Sequence, residues 1–213
     1  MWKLFCFLFC VPIFAAPKVF TVKDLGSRNL FVLTLDGSIE KNLAMSRFVT
    51  GSLSFDVEKN REISGSWEID LRTLDTQNEM RNLELREQIL RIPEFSLLKV
   101  QLSPLSLAAN WVEEKQQTFS SQVSYSYAGK NVPLKSQVKI TYIKESPKSQ
   151  QRLPGNLMKV QITQEWNLDA FGLAVPENLK MVYPKLLGMQ TDFVGSDWLP
   201  TDKPIFPEAP KPR

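Results

Sequence analysis

"TFSSQVSYSYAGKNVPLKSQVKITYI", Thr118 to Ile143, holds two alternating runs around a single turn. In the first, Phe119, Val123, Tyr125 and Tyr127 share one parity and Ser120, Gln122, Ser124 and Ser126 take the other. In the second, Val132, Leu134, Val138, Ile140 and Tyr142 alternate against positions that include Lys135 and Lys139. A period of two is the signature of a strand buried on one face, and Gly129-Lys130-Asn131 between the runs reads as a hairpin turn.

The same pattern recurs on both sides. "NLFVLTLDG" is an apolar run closed by Asp36-Gly37. "SRFVTGSLSFDV" sets Val49, Leu53, Phe55 and Val57 on one face, and "EISGSWEIDL" does so with Ile63, Trp67, Ile69 and Leu71 after the polar Glu58-Lys59-Asn60. "EFSLLKVQLS" places Leu98, Val100 and Leu102 together, and "LMKVQITQEWNL" places Met158, Val160, Ile162 and Trp166 together. "LGMQTDFVG" adds a last strand, and "FGLAVPENLKMVYPKLLG" before it reads as an irregular crossover. About eight strands, each apolar on one face, must bury those faces as a sandwich or a closed barrel. Polar outer faces favour antiparallel pairing, and closure removes unpaired edges. The expected fold class is all-β, with one exception. "EIDLRTLDTQNEMRNLELREQIL", Glu68 to Leu90, starts as a strand and turns into a charged, helix-favouring run, so one short helix is expected near Asp75 to Leu90.

Composition narrows the chemistry. The 213 residues include no histidine, which excludes Ser-His-Asp and Cys-His catalysis and His-ligated metal sites. Asp75, Glu79 and Glu84 read as solvated or capping residues, with Asp75-Thr76 at the expected N-cap. No catalytic residue, metal site or cofactor is assigned. A net charge of +3 with interspersed signs gives no basic stripe for nucleic acid. "MWKLFCFLFCVPIFAA" has a basic residue at Lys3, a short apolar core and small residues at Ala15 and Ala16, the layout of a secretory signal peptide too short to span a membrane. Residues 1–15 are accordingly read as a signal peptide, 16–198 as one β-barrel domain and 199–213 as a proline-rich extended or disordered tail. Both cysteines, Cys6 and Cys10, lie in the signal segment, so the exported chain relies on its core alone.

The stretches "VTGSLSFDV" and "EISGSWEIDLRTLDTQNEMRNLELREQIL" resemble the core signature of the YceI-like family of periplasmic polyisoprenoid-binding proteins. Leu74-Asp75-Thr76 match its turn, and Arg81 and Leu85-Arg86 match its helix. "IPEFSLLKVQL", "YSYAGKNVPLKSQVKI" and "WNLDAFGLAVP" resemble later elements in the same order, so the likeness runs from about Leu30 to Trp198. The chain departs from the family in carrying Arg81-Asn82 for an Arg-Asp pair, and Asn167 and Asp169 where an arginine usually precedes Phe-Gly.

The resemblance implies an extended, lipocalin-like antiparallel barrel holding a long isoprenoid chain, in a periplasmic protein that is not an enzyme. The helix would close or brace one end, with Met80, Leu83 and Leu90 inward and Glu84, Arg86 and Glu87 toward solvent. Trp67, Ile69, Phe119, Val123, Tyr125, Tyr127, Val138, Ile140, Met158 and Ile162 would line the tunnel. The residues themselves fit a packed core as well, because core and tunnel both need apolar side chains. Arg81 and Arg86 are candidates for a phosphate head group or for structural ion pairs. The expected partner is a long-chain lipid or isoprenoid, with no nucleic acid and no stable membrane span. The alternative is a filled barrel acting as a structural or interaction module of the bacterial envelope.

Overall fold

Strands β7 (Gln117–Tyr127) and β8 (Lys130–Ile143) pair antiparallel from Tyr127–Lys130 to Gln117–Ile140, as the alternation requires. Ala128 (φ 48°) and Gly129 (φ 72°) make the two-residue turn. Positive φ at both positions matches the right-handed twist of the flanking strands. The structure, a computed structural model, describes residues 17–198 apart from 24–25, 27, 39, 57–61 and 108–111. The signal segment, the proline-rich tail, the Glu58-Lys59-Asn60 turn and Val57 lie outside the described residues.

Ten strands are present among the described residues. Besides β7 and β8 they are β1 (Lys18–Val22), β2 (Leu30–Asp36), β3 (Lys41–Ser46), β4 (Val49–Asp56), β5 (Glu62–Asp70), β6 (Leu97–Ser106), β9 (Leu157–Asn167) and β10 (Leu186–Ser196). All pairings are antiparallel, and their order is β1-β4-β5-β6-β7-β8-β9-β10-β2-β3, with a further β1–β10 pairing. On β10, Ser196 faces Thr21 of β1 while Gly188 to Asp192 face β2, so β1 and β2 lie end to end along one edge. β3 pairs with β2 and β4 with β1, so those two also lie end to end. Two composite staves and six single strands, β5 to β10, close an eight-stave barrel. β1 and β3 were not foreseen in the sequence, and they lengthen staves without adding any.

Past β5 the chain makes a 3₁₀ turn (Leu71–Thr73), and Asp75 then exchanges two backbone hydrogen bonds of 2.9 Å with Met45. Helix α1 (Glu79–Leu83) follows and widens into a π-helical turn (Glu84–Ile89), where Leu90 N–H donates to the Leu85 carbonyl at 2.9 Å. The N-cap is Asn78, whose side chain accepts from Arg81 N–H at 3.1 Å, instead of the expected Asp75. Asp75 accepts from Gln77 N–H and the Asn82 amide at 2.8 and 2.9 Å, and these bonds hold its carboxyl below its ordinary value, Asn82 contributing most.

The buried face of the helix agrees only in part with the one expected: Leu90 is buried and Glu87 exposed, as expected, but Glu84 and Arg86 are half-buried and two of the three residues expected inward are not. Met80 and Leu83 are exposed at 68% and 48%, while Leu85, Ile89 and Leu90 are buried. The π turn, with one more residue per turn than an α-helix, puts Leu90 on the Leu85–Ile89 face. Together with Phe171, Leu173, Leu179 and Tyr183 of the β9–β10 crossover, that face covers one end of the barrel. The polar β8–β9 connection contains a second helix, α2 (Pro147–Gln150), closed by a capping box between Ser146 and Ser149.

Candidate ligand-binding interior

Each stave contributes one parity to the interior. Of the ten residues expected to line a tunnel, nine are buried in the barrel: Trp67, Ile69, Val123, Tyr125, Tyr127, Val138, Ile140, Met158 and Ile162. Phe119 is only half-buried. The β6–β7 ladder runs from Lys99–Ser126 to Leu102–Val123 and stops, so the part of β7 that carries Phe119 has no β6 neighbour.

Rings meet across the barrel. Trp67 of β5 packs on Phe193 of β10 with centroids 4.9 Å apart, and Tyr142 of β8 meets Phe55 of β4 at 6.0 Å and Phe20 of β1 at 6.2 Å. Nearer the helix, Tyr127 meets Trp166 at 5.7 Å, and Trp166 meets Phe171 at 5.3 Å. A chain can thread this interior only when such rings turn aside. Clefts of about 550 and 560 Å³ open on the outside of the barrel. The first lies beside α2 and includes Arg28, Lys148 and Arg152 together with Glu114 and Asp192.

The two neighbouring tyrosines of β7 differ. Tyr127 donates to the Leu90 and Phe95 carbonyls at 2.7 and 2.8 Å, or is shared between them, and so ties the helical segment to the barrel. Tyr125 is fully buried, and its hydroxyl lies beside that of Ser136 without a well-formed hydrogen bond. Burial pushes its ionisation far above the ordinary tyrosine value, and the neighbouring Ser136 hydroxyl offsets this only in part. The Trp67 and Trp166 indole N–H groups and both ends of the Gln164 amide are likewise buried without a protein partner.

Arg81 and Arg86 are engaged within the protein. Arg81 Nη2 lies 2.6 Å from Glu40 Oε1 on the β2–β3 connection. Arg86 donates through Nε to the Leu74 carbonyl at 3.0 Å and through Nη2 to the same oxygen. Asn82, where the resembled family has aspartate, accepts from Thr76 N–H and Oγ1 at 2.7 and 2.8 Å and donates to Asp75. An amide is needed for that last bond, since a carboxylate could not donate to Asp75. No charged side chain is buried among the described residues.

Gln164, Ser136 and Phe193 were not named as lining residues from the sequence. Their parity was readable, because Gln164 falls between Ile162 and Trp166, and Ser136 between Leu134 and Val138. Counting only apolar residues passed over both.

No family model matches the sequence, and no curated protein matches it. Solved structures do. A polyisoprenoid-binding domain from Saccharophagus degradans, implicated in plant cell wall breakdown, superposes with a TM-score of 0.64 at 12% identity, over 84% of this chain and 98% of its own. BcnA of Burkholderia cenocepacia gives 0.60 at 10% identity, over 79% and 96%. A mutant of the CJ YCEI protein gives 0.54 at 9% identity, over 69% and 80%. No helix of the described residues is long and apolar enough to cross a membrane. A closed barrel covered at one end by a helix, and shared with these proteins over most of the chain, gives this protein the lipocalin-like YceI fold.

Proposed function

We propose that this protein is an exported member of the YceI-like family that carries or sequesters one long apolar chain, an isoprenoid, inside its barrel, with no catalytic role. The proposed compartment is the periplasm, reached through the signal segment at residues 1–15. Two features support the reading: a structural neighbour is named as a polyisoprenoid-binding domain, and nine of the ten residues expected to line a tunnel are buried together in one apolar cluster. The observation that carries it is the set of unpartnered polar atoms within that lining, on Trp67, Tyr125, Gln164 and Trp166. In a finished core the large majority of such atoms are hydrogen-bonded.

The cross-barrel contacts of Trp67 with Phe193 and of Tyr142 with Phe55 favour the second reading, a filled barrel presenting its surface to a partner. A thermal-shift titration separates the two. A ligand at a hundred times its Kd stabilises by about 2.7 kcal/mol, which for a chain of this length raises Tm by roughly 5–10 °C. A series of isoprenoid alcohols of increasing length should reach that shift, because each buried CH₂ contributes about 0.8 kcal/mol. Absence of any shift across the series would put the filled barrel first.

A further inference from the structure

On β9 the inward parity belongs to Met158, Val160 and Ile162, so Leu157 and Lys159 face outward. Lys159 is exposed, as that parity requires, but Leu157 is buried. It lies in the 550 Å³ cleft that Lys148, Ser149 and Arg152 of the β8–β9 connection share with outward residues of β8, β9 and β10. Thr141, Lys159 and Val194 form one cross-strand row there, and Ile143 pairs with Leu157. The cleft stands on the outer wall, with an apolar floor at Ile143, Leu157 and Val194.

Its rim is charged. Arg28 Nη2 donates to the Arg152 carbonyl at 2.5 Å, and Arg152 Nη2 lies 3.4 Å from Asn29 Oδ1, so each arginine is braced by the other's segment. Asn29 Oδ1 also accepts from Val194 N–H at 3.1 Å, which ties the brace to β10. Lys148 and Lys159 make no ion pair among the described residues. Two carboxylates share the cleft: Glu114, and Asp192, which accepts from the Gln190 amide at 2.5 Å. Other acids of this end serve the connection itself, Glu145 accepting from the Gln150 amide and Gly155 N–H, and Asp197 from Asn156. Four cations against two carboxylates leave the cleft an excess of two positive charges.

We propose that this cleft binds an organic phosphate, with the phosphate among Arg28, Lys148, Arg152 and Lys159 and the apolar body of the ligand on Ile143, Leu157 and Val194. The excess of two positive charges matches a phosphate monoester, and guanidinium and ammonium groups are the donors that phosphate oxygens take best. The floor asks for more than the ion alone, because bare phosphate would leave Ile143 and Val194 as they are. Lys148 and Lys159 are exposed, so attraction there is screened by salt and binding is salt-sensitive. The site lies outside the barrel and needs neither an open interior nor a bound isoprenoid.

The test follows amide NMR shifts of the full chain with phenyl phosphate, inorganic phosphate and phenol as probes. Phenyl phosphate should move the amides of Thr141, Lys148, Lys159 and Val194 and leave those of Leu85 and Tyr127, at the helix-covered end, in place. It should bind about tenfold more tightly than inorganic phosphate, through the floor it covers. Phenol should move none of them at the same concentrations. Lys148→Gln and Lys159→Gln, both exposed and so without cost to the fold, should each weaken phenyl phosphate about three- to fivefold. Phenol binding as tightly as phenyl phosphate would overturn the proposal and leave a plain apolar groove. Shifts scattered over lysines elsewhere, or an affinity unchanged in both variants, would overturn it as an adventitious ion only. Vesicles of phosphatidylglycerol and of phosphatidylcholine then identify the source. Sedimentation with the first alone, lost in the double variant, supports a phospholipid head group as the phosphate. Tight phenyl phosphate binding without sedimentation supports a soluble organic phosphate at the same site.

Discussion

Tyr125 and Tyr127 stand two positions apart on β7 and face the same interior, yet they do different work. The Tyr127 hydroxyl serves the carbonyls of Leu90 and Phe95, at the end of the helical segment and on the way into β6. Tyr127→Phe keeps the ring contacts with Trp166 and Phe95 and removes that donor from buried surroundings. It should cost about 1–3 kcal/mol. The Tyr125 hydroxyl gives up no protein partner on removal, so without ligand Tyr125→Phe should be neutral or slightly stabilising. Urea unfolding of the two variants reads the difference directly, and equal losses would show that the Tyr127 latch is not there. Alternation was enough to place both rings inside, as it was for Val138, Ile140, Met158 and Ile162. Which hydroxyl would find a carbonyl was not legible, since the carbonyls belong to residues more than thirty positions away.

At the scale of elements, the helical segment is where sequence and structure part most. A short helix between β5 and β6 was readable from "NEMRNLELREQIL", but its buried face was not. Regular helical spacing groups Met80 and Leu83 with Leu90, and the π turn breaks that spacing by inserting Leu90 beside Leu85 and Ile89. Arg86 holds the segment to the preceding turn through the Leu74 carbonyl. Arg86→Met keeps the apolar stem and removes the charged donor, so it should destabilise by about 1.5–3 kcal/mol. Hydrogen exchange should then show loss of protection concentrated in residues 74–92, with β7 to β10 unchanged. Loss spread evenly over the barrel would mean that Arg86 does not act as a local latch. Strands β1 and β3 escaped notice for a related reason. "KNLAMS" buries only Ala44 and Ser46, and "KVFTV" is five residues long with Val19 half-exposed, so neither carries a clear apolar alternation of its own. Their neighbours on the staves supply what they lack.

Across the whole molecule, eight staves were countable from the sequence because each has at least one strand that reads as one, by alternation or, for β2, as an apolar run closed by a turn. Closure was not countable. It depends on Thr21 meeting Ser196 and on β2 sharing the same edge of β10, contacts between opposite ends of the chain. The two places where ladders stop, β6–β7 beyond Leu102–Val123 and β8–β9 beyond Gln137–Thr163, were equally invisible, since alternation continues through both. Whether the interior serves as a core or as a container is the central question, and the unpartnered polar atoms within it favour a container. The measurement that tests this most directly is native mass spectrometry of the protein purified from its own cells without detergent, followed by solvent extraction of the same sample. One lipid of defined mass per chain, released on unfolding and recovered in the extract as an isoprenoid, is the predicted result. A spectrum containing only the mass of the bare chain, unchanged after incubation with isoprenoid alcohols, would contradict the account.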